Sequence, residues 1–189
     1  MSLLRCFRIR SPWYCRLEVL AAVALLTHVL VVWAIPYVIM AALSMSRPAE
    51  ERGTGPLFPP MTDATQRRVV MPSPDLLYAT CAFDVREHAL RIQADPKLPG
   101  YWSIALYAAN SDNYFVINDR QVGQGAVDIW LVSADGNAGN PPVPAGAQVV
   151  VSPSKEGFLL MRVLTSDYAS EAAVLEPARR SLACTPAAQ

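Results

Sequence analysis

Few residues of this 189-residue chain are of the types that perform catalysis. His88 is the one histidine outside a long apolar run, and Asp84 and Glu87 lie close to it in the sequence. Such a trio is able to act in acid–base catalysis or to hold a metal weakly. It also fits a solvated turn between two strands, which is the interpretation we favour. Because no nucleophile elbow, phosphate-binding loop or zinc-protease motif is present, we predict no catalytic residue, no metal and no cofactor.

A second group of polar and aromatic residues lies between Tyr101 and Gln121, where five aromatic residues fall within 15 positions. Aromatic rings beside hydrogen-bonding groups build ligand pockets and interfaces. They also pack the core face of an ordinary β-hairpin, which is the interpretation we favour for most of them. The candidates for contact with a ligand or partner are Tyr101, Tyr107, Asp112, Asn113 and Tyr114.

The elements that would position these residues are mostly β-strands. Seven short runs of apolar, aromatic or alternating residues are bounded by Gly, Pro, Asn and Asp: Leu76–Val85, His88–Ala94, Tyr101–Ala109, Tyr114–Asn118, Ala126–Ala134, Gln148–Ser152 and Gly157–Ser166. A short C-terminal helix is predicted after Asp167, kinked or interrupted at Pro177. The pattern predicts a mainly β fold, an antiparallel β-sandwich or open barrel of about seven strands with this helix.

A long apolar run precedes these strands. Residues 19–43 contain only Thr27 and His28 as polar residues, and a helix of that length exceeds the roughly 30 Å hydrocarbon core of a bilayer. A cleaved signal peptide is the alternative, but its apolar region usually has about 7–15 residues. We therefore predict one uncleaved transmembrane helix in the lipid bilayer. His28 is a candidate for contact with a partner helix, because polar groups at membrane depth usually face protein.

The charges predict the orientation of this helix. The net charge of the whole chain is zero, which argues against a nucleic-acid binder that relies on bulk positive charge. Residues 1–18 carry a net charge of +3 and residues 44–189 one of −3. Since basic segments stay on the cytoplasmic side, we predict a bacterial inner-membrane protein with a cytoplasmic N-terminus and a periplasmic C-terminal domain.

This topology divides the chain into four segments. Residues 1–18 are predicted to be cytoplasmic, residues 19–43 to span the membrane, residues 44–74 to form a proline-rich stalk, and residues 75–189 to form the periplasmic domain. Cys81 and Cys184 would then lie in an oxidising compartment. They form either one disulfide or two separate thiols, and the sequence leaves both possibilities open.

The strand patterns resemble those of the domain of unknown function 1254 family over about Met71 to Cys184. The matching positions are Asp75, Tyr78, Asp84, Tyr101, Ser103, Tyr107, Asn113 and Phe115. The resemblance implies a β-rich domain that is often followed by, or encoded beside, a companion domain, the domain of unknown function 1214, which this chain is expected to lack. It implies no reaction and no identified small-molecule ligand. Our hypothesis is a non-catalytic envelope binding or assembly module with a companion-domain membrane protein as partner. The alternatives are an envelope enzyme or enzyme subunit acting on a small or lipid-derived substrate, and a structural anchor.

Overall fold

The computed structural model describes residues 12–45, 55–63, 65–66, 72–123, 125–135 and 143–187. Most of the predicted cytoplasmic segment lies outside these ranges. Helix α1 comprises Pro12–Met45 and contains the whole predicted span of residues 19–43. Its length and composition are sufficient for it to cross a bilayer. Membrane anchors and signal sequences both meet this criterion.

The rest of the described chain forms two four-stranded β-sheets. Its elements in chain order are β1 (Leu76–Asp84), β2 (Leu90–Ala94), β3 (Trp102–Ala108), β4 (Asn113–Asn118), α2 (Asp119–Val122), β5 (Val127–Ser133), β6 (Gln148–Ser152), β7 (Glu156–Leu164), α3 (Tyr168–Arg180) and β8 (Ala183–Pro186). Sheet 1 has the strand order β1-β7-β3-β4, and sheet 2 has the order β6-β5-β2-β8. The predicted mainly β fold with a C-terminal helix is thus confirmed.

Two features of the sheets differ from the prediction. Strand β6 pairs with β5 in parallel, whereas the other pairs within the two sheets are antiparallel. The connection between these two strands is long enough to return the chain to the starting end of β5, which a hairpin turn cannot do. The short strand β8 was not predicted, because its four residues show no alternation of apolar and polar side chains.

The core lies between the two sheets and is filled by alternate residues of the strands. Strands β1 and β7 bury every second side chain, as expected for strands whose other face points away from the core. The largest fully buried core residues include Trp102, Leu106 and Leu159 of sheet 1 and Ile92 and Leu131 of sheet 2. The period-two patterns in the sequence therefore specify which face of each strand packs inward.

Residues 55–62, here called the strap, pack against the domain although they fall within the predicted stalk. Leu57 pairs with Thr80 at the outer edge of β1, with N–O distances of 2.7 and 2.9 Å. Phe58 and Met61 pack against the hydrophobic core, and Thr62 is buried. An exposed strand edge invites pairing with other chains, and the strap covers part of the edge of β1.

Helix α3 begins after Asp167, whose carboxylate accepts a hydrogen bond of 3.2 Å from the amide of Ala169. This is the predicted N-cap, and it satisfies one of the otherwise unpaired amides of the first turn. The helix continues through Pro177 to Arg180, so the predicted interruption does not occur. Leu175 and Ala178 anchor the helix to the core.

Candidate functional site

The aromatic hairpin forms strands β3 and β4, whose residues divide between two faces of sheet 1. Trp102, Ile104 and Leu106 point into the core, whereas the residues between them point to the opposite side. We call that opposite side the outer face of sheet 1. Of the five predicted contact residues, Tyr107 and its cross-strand partner Asn113 lie on this outer face.

The structure brings some of the predicted contact residues together and separates others. Asn113 is exposed and pairs with Tyr107 across the two strands. Asp112 is exposed in the adjoining turn, where it accepts a hydrogen bond of 2.6 Å from Asn110. Tyr101 precedes β3 and lies six residues from Tyr107, which corresponds to about 20 Å along a strand.

Tyr114 has a role in packing. Its ring packs against the core, and burial raises the pKa of its hydroxyl to about 12.

The outer face of sheet 1 carries apolar side chains on all four strands, with Thr80, Ser103, Asn113 and Asn118 among them. It carries large apolar or aromatic side chains that are half-buried or exposed: Leu76, Tyr78, Tyr107, Val116, Phe158, Leu160 and Leu164. Val116 is 43% exposed and Leu164 45% exposed. An antiparallel sheet with one face in water usually alternates apolar inward and polar outward residues. Large exposed apolar patches mark surfaces that bind another molecule.

Arg162 is the one charged residue in the middle of this face, among the four described strands. It lies opposite Tyr78 on one side and Ser103 on the other. Its guanidinium donates a hydrogen bond of 3.0 Å to the hydroxyl of Tyr107. This bond spans four residues along β3, passing over Ala105, which is buried. The face thus presents a cation and a hydroxyl surrounded by apolar side chains.

The outer face of sheet 2 is different because its charges are paired. Arg91 forms two hydrogen bonds with the carboxylate of Asp128, of 2.9 and 2.7 Å, and its guanidinium lies 5.8 Å from the ring centre of Trp130. The hydrogen bonds with Arg91 lower the pKa of Asp128 below its ordinary value. Exposed valines, Val149 and Val151, lie at the edge of this sheet on β6.

The predicted acid–base trio lies in the exposed turn between β1 and β2. His88 and Glu87 are exposed, and Asp84 forms an ion pair of 3.2 Å with Arg86, which also pairs with Glu156. No group of three potential metal ligands occurs within the described residues. His28, the predicted partner contact in the membrane, lies exposed within α1. Cys81 and Cys184 are both buried, and the structure has both as thiols.

The strongest polar interaction in the domain was not predicted. Arg179 is 2% exposed, and its guanidinium binds the carboxylate of Glu176 at 2.8 and 2.7 Å. The same guanidinium donates to the carbonyl oxygens of Pro59 at 2.5 Å and Tyr78 at 3.1 Å. It therefore connects α3, the strap and β1, and we call this arrangement the arginine clamp. The sequence indicated only a basic residue in the last turn of a helix.

The clamp predicts a dependence of stability on pH. Burial alone would raise the pKa of Glu176, but hydrogen bonds from Arg179 and Tyr168 outweigh it and hold the pKa below its ordinary value. Such a group stabilises the fold above its unfolded pKa, and this contribution is lost as the pH falls through the folded pKa. The difference in unfolding free energy between wild type and Glu176→Gln is therefore expected to be largest at neutral pH and to shrink in acid.

Urea denaturation between about pH 7 and pH 2 measures this difference, which should disappear below both pKa values of Glu176. Glu87→Gln is the control, because Glu87 is exposed in a turn, and it should change stability little at any pH. A Glu176→Gln effect of equal size at every pH would contradict the electrostatic explanation.

Comparisons with known proteins agree with the resemblance in the strand patterns. A family model described as "Protein of unknown function (DUF1254)" matches residues 57–186. No curated protein matches the chain. The solved VPA0106 protein from Vibrio parahaemolyticus is similar over 61% of this chain and 28% of its own, with 17% identity and a TM-score of 0.55. An uncharacterized protein from Burkholderia cenocepacia is similar over 97% of this chain and 45% of its own, with 15% identity and a TM-score of 0.47. The chain thus spans less than half the length of either protein.

Proposed function

Because the chain belongs to the DUF1254 family, we propose that it is a non-catalytic, membrane-anchored binding module whose partner is a protein carrying the companion domain of unknown function 1214. In this proposal α1 remains in the bacterial inner membrane, the N-terminus stays in the cytoplasm and the β domain faces the periplasm. The excess of arginine before the apolar run supports this orientation.

One observation carries the choice of surface: the outer face of sheet 1 exposes large apolar side chains on all four strands and a single charge at its centre. Interface centres are depleted in charged residues and enriched in aromatic residues and arginine. Tyr107, Tyr78 and Arg162 are of these types, and the leucines and valine around them supply apolar area. This composition fits a protein surface better than a water-soluble ligand.

The size of the solved neighbour is consistent with such a partner. The matching fold makes up 28% of the VPA0106 chain, so it occurs there joined to much more polypeptide. The enzymatic alternative has less support, since Tyr101 lies about 20 Å along the strand from the paired Tyr107 and Asn113.

Co-purification in mild detergent tests this proposal. The full-length chain is expected to bring the companion-domain protein with it, and Leu160→Arg should reduce the recovered partner at least tenfold, because a second unpaired charge would then be buried in the interface. Val151→Arg is the matched control on the outer face of sheet 2, where Val151 is 56% exposed. Equal recovery with both variants, or none with wild type, would overturn the proposal.

A further inference from the structure

Two buried cysteines lie on the edge strands of opposite sheets. Cys81 belongs to β1, the last strand on one side of sheet 1, and Cys184 belongs to β8, the last strand on one side of sheet 2. Both side chains point inward, since both residues are part of the same hydrophobic core and are nearly inaccessible to solvent. The two cysteine side chains face each other across the core only if these two edges lie on the same side of the sandwich.

The strap shows that they do. Leu57 pairs with Thr80 of β1, and a Cβ atom built on Gly55, two residues earlier, would lie 4.0 Å from the carbonyl oxygen of Cys184 of β8. The strap thus lies beside both edge strands. The opposite side is formed by β4 and β6, the other edge strands of the two sheets.

The strap also relates Cys184 to Cys81 along the sandwich. Leu57 pairs with Thr80, the chain neighbour of Cys81, and Gly55, two residues before Leu57, lies beside Cys184. Arg179 contacts both Pro59 of the strap and Tyr78 of β1, so the strap follows the edge of β1 over this stretch. Cys184 therefore lies near the part of β1 that contains Cys81.

We propose that Cys81 and Cys184 form an inter-sheet disulfide that closes this side of the sandwich behind the strap. Disulfides join cysteines whose Cα atoms are about 4.4–6.8 Å apart, and sandwiches of the immunoglobulin type place one between facing strands of their two sheets. The structure has the reduced state of the pair. This inference does not depend on the proposed partner.

The oxidation is a thiol–disulfide exchange with an external disulfide compound. The thiolate of one cysteine attacks the external disulfide, forms a mixed disulfide and releases one external thiol. The second cysteine then attacks its partner's sulfur, forms the Cys81–Cys184 bond and releases the second external thiol. Two protein thiols are oxidised and one external disulfide is reduced. The exchange takes place during folding, before the core buries both sulfur atoms.

Refolding of the full-length protein in detergent with a mixture of reduced and oxidised glutathione tests this inference. After alkylation of the remaining thiols and proteolysis, mass spectrometry should detect a peptide pair joined through Cys81 and Cys184. Cys15→Ser is the matched control, because Cys15 lies in α1 outside this domain, and it should leave the pair intact. Complete alkylation of both Cys81 and Cys184 in wild type would overturn the inference.

Thermal denaturation provides a second measurement, and its main comparison uses the wild-type protein, so it does not depend on whether a variant folds. Reduction of the oxidised wild-type protein is expected to lower Tm by about 10 °C, because the bridge closes a loop of about 100 residues. The Tm of Cys81→Ser should not respond to the reductant. A wild-type Tm that does not change on reduction would also contradict the proposed bridge.

Discussion

Arg179→Ala is expected to lower the free energy of unfolding by about 3 to 5 kcal/mol, the range typical of breaking a buried ion pair. The substitution removes the donor to the carbonyl oxygens of Pro59 and Tyr78 as well as the partner of Glu176. Unpaired buried acceptors carry a desolvation cost of their own. The strap should then separate from β1 more easily than in wild type.

The chain contains a matched control for this prediction. Arg180 is the next residue and also binds Glu176, at 3.2 Å, but its side chain is 59% exposed. Exposed ion pairs contribute about 0 to 1 kcal/mol, so Arg180→Ala should be nearly neutral. Chemical denaturation of both variants measures the difference, and hydrogen exchange at Leu57 and Thr80 reports on strap opening. Equal effects of the two variants would show that burial of Arg179 is unimportant.

Gly157→Ala is expected to destabilise the domain by about 3 kcal/mol, at the upper end of the cost of overpacking a core. A Cβ atom at this position would collide with the backbone carbonyl of Tyr107 and with the ring of Phe83. Gly157 pairs with Phe83 on β1 and with Ala108 on β3, so neither neighbouring strand is able to move without disturbing the sheet.

Gly100→Ala is the control for this second prediction. Nothing lies within 4 Å of a Cβ atom at Gly100, and its backbone has no positive φ angle. Its stability should remain within about 0.5 kcal/mol of wild type. Comparison of the urea midpoints of the two variants measures the loss of stability caused by a Cβ atom at position 157, where β7 lies close to Phe83 and Tyr107. A Gly157→Ala variant as stable as Gly100→Ala would contradict the tight packing of β7 against β1 and β3.

Most of the strands could be predicted from the sequence because each is short, apolar and bounded by turn residues. The same reasoning missed the strap, since its prolines indicated an extended stalk. The apolar residues Leu57, Phe58 and Met61 were the signal for packing in this segment. The short helix α2 also had a local signal, because Asn118 and Gln121 form a capping box.

The candidate site was only partly predictable because it depends on the assembly of distant strands. Period-two alternation is enough to place Tyr107 and Ser103 on one face of β3. It does not reveal that β7 lies between β1 and β3, and this arrangement brings Arg162 beside Tyr78. The position of an arginine in the last turn of a helix also does not indicate whether its guanidinium is buried, as that of Arg179 is.

The proposed function requires that the outer face of sheet 1 binds a companion-domain protein in the cell. Photo-crosslinking in intact cells measures this contact, with a photoreactive amino acid in place of Leu164 on that face, or in place of Val151 as the control. The Leu164 position is expected to give an adduct containing the companion-domain protein, and the Val151 position is expected to give none. Adducts of equal yield from both positions, or no adduct with that protein from Leu164, would contradict it.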